Sequence, residues 1–169
     1  MKTLYLVRHA KASLENSAEQ DIDRPLLEKG LKRTRHIIDF LITKHTNVDL
    51  IISSPAIRAY ETARIISHAL GFPQENIKIE RTLYSGDADN IANLFYDLSK
   101  KIDILMIVGH NPSITNFANL FLPESIDYLP TSGLACIQFE ANLWDEIWQA
   151  KIITNFVVTP RMLKHDKGE

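Results

Sequence analysis

The stretch Ile104-Leu105-Met106-Ile107-Val108-Gly109-His110-Asn111-Pro112 decides how this chain is read. Its first five residues are apolar without interruption, as expected of a strand covered on both faces. Asn111 can cap a helix and Pro112 suits a first helical position. Ile114, Phe117, Ala118 and Phe121 then recur at helical spacing. A strand that passes at once into a helix is the repeating unit of a parallel α/β sheet. The same grammar occurs upstream, where Leu50-Ile51-Ile52 runs through Ser53-Ser54-Pro55 into a helix carrying Ile57, Tyr60, Ala63, Ile66 and Leu70 inward. Gly71 and Pro73 stop that helix.

Working outward, Thr3 to Val7 is a further strand, followed by a polar loop with Asp21 and Asp23. A helix follows with Leu27, Leu31, Thr34, Ile38 and Leu41 on one face. A short strand lies near Ile77 to Ile79, and Ile91, Leu94, Phe95 and Leu98 give the stripe of another helix. Residues 134–140 and about 149–154 read as two last strands. No repeat, composition shift or low-complexity linker divides the series. The expected fold is a three-layer α/β/α sandwich with a largely parallel central sheet, and residues 1–169 are read as a single domain.

Composition narrows the function classes. Nineteen basic residues face 21 acidic ones, so no long-range field draws the chain to nucleic acid or an anionic membrane. No apolar run approaches the length of a membrane span or a signal sequence, and the expected compartment is the cytoplasm. The single cysteine, Cys136, lies in an apolar run and reads as a small buried side chain. The six histidines show no H-x-x-x-H spacing and there is no C-x-x-C, so neither a metal nor a cofactor is called for.

In parallel sheets ligands bind beyond the carboxyl ends of the strands. Three such ends here carry Arg8-His9, Ser53-Ser54-Pro55 with Arg58 close behind, and Gly109-His110-Asn111-Pro112. Each residue alone has a plainer reading. Arg8 suits a surface charge, His9 a satisfied strand-end residue, His110 a loop histidine, and Arg58 a solvated helix residue paired with Glu61 or Glu28. Together, two arginines and two histidines make a poor core and a good cradle for a dianion. The guanidinium fork matches phosphoryl oxygens, and helix N-termini add partial positive charge. Histidine can be neutral at one position and cationic at another. His36, His45, His68 and His165 read as exposed helix or tail residues.

These segments resemble the histidine phosphatase, or phosphoglycerate mutase-like, superfamily, and within it the small bacterial SixA-type phosphohistidine phosphatases. Leu6-Val7-Arg8-His9-Ala10 resembles the R-H-G/A signature. Asp23-Arg24-Pro25-Leu26 with Glu28-Lys29-Gly30, Ser53-Ser54-Pro55 with Arg58-Ala59 and Glu61-Thr62-Ala63, and Val108-Gly109-His110-Asn111-Pro112 follow in the family's order. Thr131-Ser132-Gly133 and Thr159-Pro160-Arg161-Met162-Leu163 extend the likeness over nearly the whole chain. The resemblance implies that His9 attacks phosphorus and becomes a phosphohistidine, while Arg8, Arg58 and His110 hold the phosphoryl oxygens.

Members of this superfamily that act on alcohol phosphates usually carry an acid after the third strand. Here that stretch is Thr82-Leu83-Tyr84-Ser85-Gly86-Asp87, with Tyr84 or Ser85 at the aligned position. An alkoxide leaves poorly without a proton, whereas a phosphohistidine imidazole leaves readily. The stretch therefore favours a phosphohistidine-bearing protein as substrate, with Asp87 as a candidate acid should its loop shift. The short chain between Arg8 and Pro25 leaves little for a lid and implies an open site. The alternative is a broad-specificity phosphomonoesterase acting on small phosphorylated molecules. A mutase and a catalytically silent phosphate-binding module are further readings. Lys11, Lys101 and Arg161 are solvated charges that could also steer an acidic partner.

Overall fold

The computed structural model describes residues 1–14 and 20–166. Its strands are β1 (Lys2–Arg8), β2 (Leu50–Ser53), β3 (Lys78–Ile79), β4 (Ile104–Gly109), β5 (Leu134–Glu140) and β6 (Lys151–Val158). Its helices are α1 (Glu28–Thr43), α2 (Ile57–Leu70), α3 (Thr82–Ser85), α4 (Ala88–Leu94), α5 (Ser113–Asn119) and α6 (Pro160–Asp166). One sheet has the order β3-β2-β4-β1-β5-β6. The first four strands in that order are parallel, and β5 and β6 are added in antiparallel pairings.

The central strands are apolar because both of their faces are covered. Leu4, Leu6, Leu105 and Ile107 pack on one side with α4 and α5, where Phe95 and Phe117 stack at 5.5 Å. Val7, Ile51, Met106 and Val108 pack on the other with Ile37 and Leu41 of α1 and Ala59, Ala63 and Ile66 of α2. Alternate residues of one strand thus feed two cores, giving the three layers expected. The chain leaves β1 toward α1 on one face and leaves the adjacent β4 toward α5 on the other. A crevice must open between those two strand ends.

Several elements differ from the periodicity reading. Helix α2 is rotated so that Ile57 is 39% exposed while Arg58 and Thr62 are buried, because the helix turns a polar row toward the crevice. On α1 the buried row is Gly30, Thr34, Ile37 and Leu41. Helix α4 ends at Leu94 and hands Phe95 to a 3-10 turn, which still buries that ring. The last strand runs over Lys151–Val158, further than expected. The two prolines precede their helices: Ala56 separates Pro55 from α2, and Pro112, after a cis bond, caps α5.

At the far end of the sheet, the buried Lys2 ammonium donates to the carbonyls of Lys100 and Ile102 and to the Asp103 carboxylate, at 2.8–2.9 Å. Lys101 belongs to this end, a strand's length from the crevice. Cys136 is buried, which pushes its thiol up to about 12. Among the described residues no helix is long and apolar enough to cross a membrane. His45 and His68 are exposed and His36 is half-buried, while the side chain of His165 lies outside the described residues.

Gly30 lets α1 start against the loop after β1. A Cβ there would sit 2.4 Å from the Lys11 carbonyl oxygen, which already accepts the Leu27 N–H at 2.9 Å. Gly30→Ala must push backbone from backbone, and we expect it to lower the unfolding free energy by about 1–3 kcal/mol in urea melts.

Candidate active site

The parallel register assembles the site. Arg8 pairs with Gly109, and Val108 stands opposite both Val7 and Ser53. Three strand ends are thereby level, and the two outer ones each donate one hydrogen bond to β4 between them. His9 N donates to Gly109 O and Ser54 N to Val108 O, both at 3.1 Å. The imidazoles of His9 and His110 come to 5.0 Å between centroids. A cavity of about 440 Å³ at this end is lined by Arg8, His9, Arg58 and His110, joined by Asp21, Arg24, Tyr84 and Asn111. All four residues expected from the strand ends therefore meet.

Hydroxyls lock the frame. Thr62 Oγ1 accepts the Ala10 N–H at 2.9 Å and donates to Arg58 O at 2.6 Å, so it ties the loop after His9 to α2. Ser54 Oγ accepts the Ala56 N–H at 3.2 Å and meets His110 Nε2 at 2.7 Å. The Leu129 carbonyl accepts from Arg8 Nη1 at 3.2 Å and from Asn111 Nδ2 at 2.9 Å. Ser132, at a positive φ of 61°, turns its N–H onto the carbonyls of Arg8 and His9.

His9 Nδ1 lies 2.8 Å from the carbonyl of Ala10. A carbonyl only accepts, so this contact places the ring proton on Nδ1 and leaves the lone pair on Nε2. Burial lowers the His9 pKa to about 3, and the neighbouring His110, Arg58 and Arg8 add to the shift. Burial likewise lowers His110 to about 4, with Arg58 and Arg8 assisting and Asp21 opposing. Both rings are neutral at neutral pH. Arg8 Nε and Arg58 Nε are buried with no partner among the described residues. Such donors are costly unless something accepts from them.

Asp21 is the residue that the loop reading missed. Its carboxylate accepts from Arg58 Nη2 at 3.0 Å, Arg24 Nε at 2.9 Å and the Tyr84 hydroxyl at 2.8 Å. The Tyr84 bond, with the two guanidinium groups, holds it near a pKa of about 2 against the opposing effect of burial. The D-x-x-R spacing of Asp21 and Arg24 was the available signal, since a 3-10 turn at Asp21–Asp23 brings the pair together.

Asp87 takes a different place from the one considered for it. Its carboxylate caps α4, accepting the N–H groups of Asp89 and Asn90, and Asn90 returns a contact to the Asp87 N–H. The capping box occupies this acid, and it does not line the cavity. Lys11 is half-buried beside Gly30, and Arg161 is exposed on α6. The span from Arg8 to Pro25, read as too short for a lid, runs through residues 15–19, which lie outside the described residues. No group of three or more His, Cys, Asp or Glu among the described residues could hold a metal ion.

Two buried, uncharged histidines beside Arg8, Arg24 and Arg58 form a cationic cradle. The family model of the histidine phosphatase superfamily (branch 1) matches residues 4–96, more than half of the chain, and the chain belongs to that superfamily. It is a phosphatase. Among solved structures it is similar to a candidate phosphohistidine phosphatase SixA from Agrobacterium tumefaciens, 27% identical, with a TM-score of 0.76 over 92% of this chain and 97% of that one. A second candidate SixA, from Nakamurella multipartitia, is 25% identical, with a TM-score of 0.77 over 94% and 96%. The phosphohistidine phosphatase SixA of Escherichia coli K12 is 21% identical over 139 residues, 81% of this chain and 85% of that protein.

The buried neutral histidines make stability depend on pH. Below their ordinary value of 6.5 the unfolded chain binds protons that the folded chain refuses, down to about 3 for His9 and about 4 for His110. Unfolding free energy therefore falls as pH drops through that window. Asp21, depressed from 3.8 to about 2, adds stability that is present above 3.8 and lost as pH falls from there toward about 2. Urea midpoints from about pH 7.5 to about pH 4.5 should decline in the wild type and flatten in a His9→Gln/His110→Gln variant.

Proposed function

We propose that this phosphatase removes the phosphoryl group from phosphohistidine in a signalling or phosphotransfer protein, through a covalent phosphohistidine on His9. The observation that carries the reading is the His9 ring, neutral and tautomerically held by Ala10 O, among Arg8, Arg58 and His110.

In the first step the His9 Nε2 lone pair forms a bond to phosphorus while the substrate's P–N bond breaks. The departing imidazole keeps that electron pair and leaves neutral, because its other ring nitrogen already carries a proton. Charge on the equatorial oxygens is met by Arg8, Arg58 and His110, which are fixed before the substrate arrives. The phosphorylated His9 ring is cationic, since Nδ1 keeps its proton against Ala10 O. In the second step water attacks phosphorus, Nε2 recovers its electron pair, and the water oxygen departs on phosphorus with both of its protons, as dihydrogen phosphate that then equilibrates with solvent.

The choice of a phosphoramidate over an alcohol ester rests on the acid. Among the described residues, Asp21 is the carboxylate lining the cavity, and its pairing keeps it ionised with no proton to give. Tyr84, at the position aligned with the superfamily's usual acid, donates its hydroxyl hydrogen to Asp21. An imidazole leaving group needs neither.

Rapid-quench labelling should trap an acid-labile phosphoenzyme in the wild type and none in His9→Ala, with turnover abolished. Arg58→Ala should retain the label but lose about 10²–10³-fold in kcat, the scale for a removed transition-state donor. Preference for small phosphate esters over a phosphohistidine peptide in kcat/KM would overturn the substrate reading and favour the phosphomonoesterase alternative.

A further inference from the structure

A second concavity, a groove of about 690 Å³, lies between α1 and α6 beside the catalytic cavity. Lys29, Lys32 and Arg33 line it from α1, and Arg161 and Lys164 line it from α6. On α1 these positions fall one beside another on the surface flanking the buried row, so the helix presents one basic stripe. Among the described residues no carboxylate lines the groove. Among the described residues, none of the five cations is in a salt bridge or a side-chain hydrogen bond. The chain as a whole carries −2, so the rest of the chain outside these five residues carries −7. Positive charge is concentrated here against the overall balance.

The groove and the active site share a wall. Tyr128, Pro130 and Thr131 line the groove, while Leu129 between them gives its carbonyl to Arg8 and Asn111. Tyr128 is 64% exposed at that boundary. An exposed aromatic beside desolvatable cations is the composition of a binding anchor.

We propose that this groove is the docking surface for an acidic face of the phosphoprotein substrate, seated so that its phosphohistidine enters the adjacent cavity. The inference rests on the protein-substrate reading given above. Charge complementarity identifies the occupant: unpaired lysines and arginines select carboxylate-rich surface, and steering by such charges acts on encounter.

The test uses the whole chain and two phosphohistidine peptides, one flanked by glutamates and one by glutamines. The wild type should favour the acidic peptide about tenfold in kcat/KM, through KM, and lose that preference at high salt. Lys32→Glu/Arg33→Glu/Lys164→Glu should abolish the preference and leave hydrolysis of free phosphohistidine unchanged. Equal rates on the two peptides, or a preference that survives the charge reversal, would overturn the proposal. Binding of the unphosphorylated glutamate peptide, read by fluorescence anisotropy, separates the two readings. Charge-dependent binding without hydrolysis of any phosphohistidine sinks the substrate reading and supports the groove. Equally strong binding of inorganic polyphosphate or duplex DNA would make the groove a general polyanion site and refute a protein-selective surface.

Discussion

The parallel pairing of β1 with β4 is the constraint from which the rest follows. Its register, from Thr3 opposite Ile104 to Arg8 opposite Gly109, is held by side chains buried on both faces. A slip of one residue would turn Leu4 and Leu6 into the core built for Val7, and the reverse. The apolar pattern therefore determines which residues emerge at the strand ends. Packing thus sets the spacing of the two imidazoles, and the hydroxyls of Thr62 and Ser54 add the side-to-side links that a parallel sheet lacks beyond its last backbone bond.

That arrangement gathers Arg8 and Arg58, with Arg24 on the same cavity, in a partly dry place, where further positive charge on the histidines would be expensive. The protein meets the cost by keeping both histidines neutral and by seating Asp21 against Arg58. The neutrality that limits repulsion also leaves a lone pair on His9, so one electrostatic condition serves folding and supplies the nucleophile that the proposed function requires. Asp21 has a matching double character: it balances charge in the cradle, and the same pairing removes its capacity to act as a proton donor.

The sequence showed the frame better than the furnishing. Ile104–Val108 and Leu50–Ile52 declared themselves as doubly covered strands because continuous apolar runs have few other uses. Arg8, His9, Arg58 and His110 were legible because each follows such a strand. Helix faces were misjudged where chemistry overrode hydrophobicity: Ile57 yields the interior to Arg58, which periodicity alone has no means to weigh. Asp21 was hidden because a 3-10 turn leaves no periodic trace, and its partners Arg58 and Tyr84 lie 37 and 63 residues away. Asp87 misled for the converse reason, since an aspartate near a strand end is as well suited to capping a helix as to catalysis.

The contact between His9 Nδ1 and the Ala10 carbonyl has an evolutionary side. In many active sites a side chain orients the reactive imidazole, and one codon change can delete it. Here the orienting group is peptide backbone, carried by whatever residue follows the histidine. The tautomer is thus inherited from chain direction and loop shape, and it holds for a side chain small enough for the buried place of Ala10 while the N–H there remains held by Thr62. Changes at Asp21, at Tyr84 or along the basic groove can therefore alter the crevice and its surroundings while that backbone contact to His9 stays as it is.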